Sequence, residues 1–261
     1  MTDYALRFGG IERLYGASAA QIIQNANICV IGIGGVGSWV AEALARNGVG
    51  RLTLIDLDDI CVTNVNRQIH ALTNTVGDSK VDVMAERIEQ INPDCQVNTV
   101  EDFVTMDNLV ELINKSFDYV VDAIDSVQVK SALIAHCKRN KIPIITIGGA
   151  GGQTDPSKIE IADLSKTYQD PLLAKVRNQL RREYNFSRNV KRKFAIDAVF
   201  SSQQLVYPDN EGNVCHAKQQ NEGAMRLDCS GGFGAATHVT ASFAFFAVGH
   251  VMNKLLKKKL S

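Results

Sequence analysis

Apolar and polar positions along this 261-residue chain alternate between short runs and longer helical patterns. Residues 28–31 and 51–55 are apolar and rich in β-branched side chains, and each predicts a buried strand. Residues 96–100, 118–124 and 143–147 read as further strands. Helical spacing fills the gaps: 38–45 directly after the first strand, 80–90 ended by Ile91-Asn92-Pro93, 106–115 and 127–140. Residues 18–25 add a helix before the first strand, with Ser18 as its N-cap. Strand and helix in alternation predict an α/β fold on a mostly parallel sheet. Beyond residue 150 the alternation weakens. Only 158–162 and 197–201 are candidate strands there, so the C-terminal half reads as more irregular and partly antiparallel.

The first strand runs straight into Gly32, Gly34, Gly35 and Gly37, and a helix begins at once. Strand, glycine turn and helix start in this order make a G-x-G-x-x-G unit a phosphate-binding candidate. Glycine lets the chain turn sharply and lets phosphate oxygens approach the backbone. The free N–H groups of the helix start favour an anion. Asp56 closes the second strand, 24 residues after Gly32, where an acid accepts from a ribose hydroxyl. The chain therefore reads as Rossmann-like, with a nucleotide at the carboxyl ends of its strands. NAD and ATP fit equally well at this point.

The polar stretch after Asp56 holds Asp58, Asn64, Asn66 and Arg67, groups able to reach adenosine and phosphates. Lys80 opens the next helix, a poor place for a cation beside the helix dipole, and an external anion would offset that misfit. Asp125 and Ser126 follow the strand at 118–124. A carboxylate there either holds Mg²⁺ on a triphosphate or caps the next helix. Gly148, Gly149, Ala150, Gly151 and Gly152 follow the strand at 143–147 and read as a channel for a substrate tail or as a flexible turn.

The net charge is zero, so no global basicity advertises nucleic acid, but the charge is segregated. Residues 174–194 carry Lys175, Arg177, Arg181, Arg182, Arg188, Lys191, Arg192 and Lys193 against Glu183 alone. That block has a phosphate-binding footprint, or else is a solvated helix face. The six cysteines form no C-x-x-C pair, which argues against a disulfide framework or structural zinc. Cys229, in a glycine-flanked loop before the last helix, is either an activated thiol or a packing residue. No basic-then-apolar leader opens the chain, so a cytoplasmic location is expected. Residues 231–252 lack Asp, Glu, Lys and Arg and are long enough to cross a membrane. Thr237, His238, Thr240, Ser242 and His250 within them favour a helix buried on the sheet or a partner subunit over a membrane-associated one.

Gly-Ile-Gly-Gly-Val-Gly-Ser, Asp56-x-Asp58, Asn64-x-x-Arg67-Gln68, Lys80 and Asp125 together resemble the adenylate-forming enzymes related to ubiquitin-activating enzyme, whose bacterial members include ThiF and MoeB. Residues 7–16, 66–71, 148–153 and 232–237 are most similar to the branch that dehydrates threonylcarbamoyladenosine in tRNA. The resemblance implies one adenylation domain, with a nucleotide half at about 20–150 and a substrate and dimer half at about 151–261. It implies ATP and Mg²⁺, a homodimer, and tRNA bearing threonylcarbamoyladenosine as substrate. Gly35 would lie against the nucleotide, Asp56 would bind ribose, and Asn64 and Arg67 would hold phosphates. Lys80 would neutralise charge as pyrophosphate leaves, and Asp125 would hold the metal. A cysteine desulfurase and its sulfur acceptor are further candidate partners, with Cys229 as a thiol carrier.

Two departures stand out. The zinc-binding cysteine pairs of ThiF and MoeB are missing, and the basic block stands in that region. The relatives' N-terminal Arg-Gln pair, which enters the neighbouring subunit's site, is replaced by Gly9-Gly10-Ile11, so Arg7 or Arg13 would substitute. Two rival activities fit less well: adenylylation of the C-terminus of a ubiquitin-like sulfur carrier, and an NAD-dependent dehydrogenase. The missing zinc cysteines weigh against the first. The Asp56–Asp58 pair, the Asn-Arg-Gln run and Lys80 favour a triphosphate over the second. A non-catalytic nucleotide sensor would leave Arg67, Lys80 and Asp125 unexplained.

Overall fold

A computed structural model describes residues 3–209, 211–216 and 233–260. Its main sheet has seven strands: β1 (Asn27–Ile31), β2 (Arg51–Ile55), β3 (Gln96–Val100), β4 (Tyr119–Asp122), β5 (Ile144–Ile147), β6 (Ile159–Asp163) and β7 (Asp197–Ser201). Their order is β3-β2-β1-β4-β5-β7-β6, all parallel except β6, which runs antiparallel to β7 at the edge. The expected Rossmann-like sheet with a partly antiparallel C-terminal half is what forms. Strand order reverses at β1 and β4, and open sheets of this kind bind ligands at the carboxyl ends of such a pair.

Both faces are covered at the centre of the sheet, which is why β1, β4 and β5 are almost wholly buried, whereas the edge strand β3 is largely exposed. Ile28, Val30, Leu52 and Leu54 face α2 (Ala17–Gln24), α3 (Gly37–Arg46), α4 (Lys80–Ile91) and α8 (Thr237–Leu260). Cys29, Ile31, Ile55 and Val120 face α5 (Leu109–Leu112), α6 (Val127–Asn140) and α7 (Pro171–Glu183). Helix α8 is long and apolar enough to cross a membrane, yet Val239, Phe243, Ala247, Val251 and Leu255 are buried in the core with α3 and the sheet. Each of the larger side chains, Val, Phe and Leu, contributes roughly 1.5–3 kcal/mol by leaving water.

Four elements differ from the sequence pattern. The helix expected at 106–115 shrinks to Leu109–Leu112, because Asn108 accepts from the Thr105 N–H (2.8 Å) and donates to the Phe103 carbonyl (2.9 Å). Local bonds of this kind compete with a helix. Residues before the first strand form a further helix, α1 (Asp3–Tyr15), despite Gly9-Gly10. Tertiary contacts hold it: Phe8 is buried and the Tyr4 hydroxyl donates to the Gly48 carbonyl at 2.6 Å. The N-cap position of α2 is Gly16, not Ser18. A short hairpin, β8 (Tyr207–Pro208) with β9 (Val214–Cys215), was not visible as a pattern.

Candidate active site

The carboxyl ends of β1, β2, β4 and β5 open into a cleft of about 1460 Å³, walled on one side by Phe233, Gly234, Ala235 and Thr240 at the start of α8. The glycines divide their work. Gly32 sits at φ 86°, where side chains are disfavoured, and a Cβ there would meet the Ala123 carbonyl at 2.9 Å. Gly37, expected to bind the nucleotide, does not line the cleft. It is buried behind the turn, and a Cβ on it would collide with the Gly32 oxygen. Gly34 and Gly35 line the cleft beside Gln68 and Arg67, and Gly32 borders it.

Asp56 is locked in place. Its carboxylate accepts from the Ile33 N–H (2.5 Å) and the Asp58 N–H (2.9 Å), which ties the β2 end to the glycine turn. Burial raises its pKa, and the nearby Lys80 charge opposes that rise. Lys80 needs no external anion: its buried ammonium donates to Asp58 at 2.7 Å. The expectation that a bound anion offsets this lysine is corrected, because a carboxylate two residues past Asp56 already does so. The loop is stitched onto the start of α4 by Lys80 N–H to the Asp58 carbonyl (3.2 Å) and Ile60 N–H to the Asp78 carbonyl (2.9 Å).

Asn64 is buried, and its side-chain oxygen accepts from the Cys61 N–H at 3.0 Å. Arg67 donates through Nη1 to the Thr63 carbonyl at 2.7 Å, and its own carbonyl accepts from the Trp39 indole at 3.0 Å. Asn66 donates to the Ala235 carbonyl at 2.8 Å and so pins the start of α8 rather than standing ready for adenosine.

Asp125 lines the cleft, is exposed and makes no hydrogen bond or ion pair among the described residues. It does not cap α6, whose N-cap position is Ser126. A free carboxylate at a strand end beside a phosphate loop suits Mg²⁺, which takes one or two carboxylates plus phosphate oxygens.

The sequence reading missed the layer beneath. Asp122 is fully buried and accepts from Lys130 Nζ (2.9 Å), Thr146 Oγ1 (2.7 Å) and the Ile124 N–H (3.1 Å). Lys130 is itself fully buried. Asp170 caps α7 through the Leu173 N–H (2.9 Å) and accepts from the Gly149 N–H (3.0 Å). Burial raises the pKa of Asp170, and the Lys130 charge is among the influences that lower it. A charged residue inside an apolar strand and an Asp-Pro helix start were the available signals.

The ThiF family profile matches residues 10–261. The chain belongs to the ThiF family. It is 59% identical over 260 residues to the tRNA threonylcarbamoyladenosine dehydratase of Haemophilus influenzae, covering 98% of this chain and 96% of that protein. It is 58% identical over 252 residues to the Escherichia coli protein of the same name, covering 97% and 94%. The crystal structure of the E. coli dehydratase, TcdA, in complex with ATP superposes with a TM-score of 0.89 at 53% identity, covering 99% of this chain and 98% of that one. A structure of the same protein with AMP gives 0.88 at 53% identity, covering 100% and 98%.

On this ThiF scaffold the basic block divides. Lys175, Arg182, Arg188, Lys191, Arg192 and Lys193 are exposed, Arg182 being paired with Glu183 at 2.6 Å. Arg177 and Arg181 are partly buried: Arg177 donates to the Thr167 hydroxyl, and the Arg181 guanidinium lies 5.3 Å over the Phe194 ring. These two are structural contacts of α7, because helical spacing turns them toward the core. Cys229 lies outside the described residues. Neither Arg7 nor Arg13 lines the cleft of its own chain. Arg7 pairs with Asp3 at 2.7 Å and donates to the Ile91 carbonyl at 3.4 Å.

Proposed function

We propose that this ThiF-family chain is an ATP-dependent tRNA threonylcarbamoyladenosine dehydratase, which activates the carboxylate of N6-threonylcarbamoyladenosine beside the anticodon and cyclises it. One observation carries the reading. A glycine turn, an ordered Asp56, the cations Arg67 and Lys80 and an Asp125 unpaired among the described residues all line one cleft, in a chain 58–59% identical to dehydratases over nearly its full length.

The chemistry follows from what the cleft offers. The carboxylate oxygen attacks the α-phosphorus of ATP, the bond to the β-phosphate oxygen breaks, and pyrophosphate leaves. The carbamoyl group then attacks the activated carbonyl, the carbonyl–phosphate bond breaks, and AMP departs with a proton released. Negative charge grows on phosphate oxygens in both steps, and preorganised donors stabilise it. Lys80 is held ready by Asp58. Arg67 keeps Nε and Nη2 for phosphate, since Nη1 is used by the Thr63 carbonyl. The Asn64 amide offers its N–H₂ group, because its oxygen is occupied. Asp56 accepts from the ribose, and Ser126, Gly32, Gly34 and Gly35 complete the nucleotide wall. Mg²⁺ held by Asp125 would supply further positive charge at the triphosphate.

Exposed cations of the basic block are read as tRNA phosphate contacts. The same reading carries a homodimer, no structural zinc and a cytoplasmic location. Arg13 is the better candidate to enter a partner's cleft: it makes no hydrogen bond among the described residues, whereas Arg7 is engaged. Cys229 would carry sulfur only if a cysteine desulfurase is a partner, since ring closure within the substrate needs no enzyme nucleophile.

The test is direct. The protein is incubated with ATP, Mg²⁺ and tRNA bearing the threonylcarbamoyl group, and the nucleoside is weighed by mass spectrometry. ATP-dependent loss of one water is expected. Unchanged nucleoside mass with a folded protein would overturn the assignment.

A further inference from the structure

The two ends of the sheet carry opposite charge. The cleft at the carboxyl ends is lined by Asp56, Asp58, Asp59, Asp102, Asp125 and Asp170, against Arg67 and Lys80. Apart from the triphosphate held at Arg67 and Lys80, such a cleft offers little to a nucleic-acid backbone. Cations collect at the amino ends of the strands, at the ends of α6, α7 and α8.

Helix α7 starts at the cleft with Asp170 and Pro171 and ends in the loop that leads to the start of β7. Helix α6 packs beside it, also starts at the cleft, and ends with exposed Lys138, Arg139 and Lys141 just before β5. The Arg139 guanidinium lies 5.8 Å over the Tyr184 ring and joins the two helix ends. Helix α8 starts beside Arg67 and reaches the same pole from the other face. There Lys254 pairs with Asp197 (3.1 Å) and Lys259 with Asp118 (2.7 Å). Pro143, two residues past Lys141, shares a small cavity with Lys254, Lys258 and Lys259, so the pole is continuous.

The basic loop is held rather than loose. Lys166 Nζ donates to the Val190 carbonyl (2.7 Å), Asp163 accepts from the Phe194 (2.9 Å) and Ala195 (2.7 Å) N–H groups, and the Phe186 and Phe194 rings meet at 5.0 Å. A loop whose backbone is already ordered loses less freedom when its side chains bind phosphates. Helix α7 has 13 residues. It therefore places the pole about 20 Å from the cleft, with exposed Lys175 between and exposed Arg182 at the pole end. A short RNA hairpin spans that distance.

Resting on the tRNA reading above, we propose that the positive pole grips the phosphates of the anticodon stem, with the α6 end as an RNA contact in its own right, while the loop nucleoside enters the acidic cleft. The anion is RNA and not a membrane surface, because the track of cations leads along α7 to the cleft.

The test compares Lys138→Ala/Lys141→Ala on α6 with Arg188→Ala/Lys191→Ala in the α7 loop. Binding of tRNA bearing threonylcarbamoyladenosine is measured across a salt series, with ATP binding as the control. Each variant should weaken tRNA binding, lower the log–log salt slope by roughly 0.7–0.9 for every phosphate no longer neutralised, and leave ATP affinity unchanged. A reduced slope for the α7-loop variant alone would overturn the α6 contact and leave the dehydratase reading standing. An unchanged slope for both, or a loss of ATP affinity in either, would overturn the pole as a whole. Anionic vesicles bound as tightly as tRNA would assign it to membrane instead.

Discussion

Two glycine-rich loops sit at the carboxyl ends of parallel strands, and they are built in different ways. The loop after β1, Gly32 to Gly37, leads straight into α3, with Asp56 at the end of β2 accepting from its Ile33 N–H. The loop after β5, Gly148 to Gly152, leads into no helix. Its shape comes from Asp170, which accepts from the Gly149 N–H; a Cβ on Gly148 would collide with the same carboxylate. Both loops are tied by a carboxylate from another segment, Asp56 to the Ile33 N–H and Asp170 to the Gly149 N–H, but only the first runs directly from strand into helix. Lys130 stands between them, paired with Asp122 under the Asp125 loop and close enough to Asp170 to favour its charged form.

The largest test strikes both loops at once. Lys130→Met leaves Asp122 buried and unpaired, which costs about 3–5 kcal/mol. Urea unfolding should show that loss, and Lys130→Met/Asp122→Asn should recover much of it. A single mutant as stable as the parent would show that the two loops share no support.

Lys80→Ala and Asp125→Ala separate chemistry from architecture in the first loop's neighbourhood. Lys80→Ala removes a cation where phosphate oxygens gain charge and Asp125→Ala removes the carboxylate that would hold Mg²⁺ there, and each loss of such stabilisation is worth about 10²–10³ in turnover. Circular dichroism should remain that of the parent. Normal turnover in either variant would move the chemistry out of this cleft.

The second loop is probed by Asp170→Ala, which removes a helix cap worth about 1 kcal/mol and frees the Gly149 N–H. The Michaelis constant for tRNA should rise while that for ATP holds. A rise for ATP alone would reverse the division of labour between the loops.

Cys229→Ser should have the smallest effect, with most dehydration retained, because ring closure is internal to the substrate. Complete loss in a folded variant would make the thiol a participant.

Much of the nucleotide half was legible, for a physical reason. Strands β1 and β2, the glycine turn and α4 follow from short-range periodicity and turn chemistry, and Asp56, Lys80 and Asp125 gained meaning from their places at strand and helix ends. The short α5, the helix α1 and the hairpin β8–β9 were not legible, because side-chain bonds or distant packing override local preference. Lys80 shows the limit within a single residue. The sequence placed it at a helix start in the cleft, but its partner, Asp58, lies on another segment.

The sequence by itself determined the α/β class, the family and the residue types at the phosphate loop, since these rest on spacing within one strand–turn–helix unit. Only the tertiary structure decided which members of each set act. It moved Gly37 behind the turn, left Asp125 without a partner among the described residues while pairing Asp122, turned Arg177 and Arg181 inward and brought Lys138, Arg139 and Lys141 to the pole of the basic loop. Burial and pairing join residues far apart in the chain, and no local pattern records which of them meet.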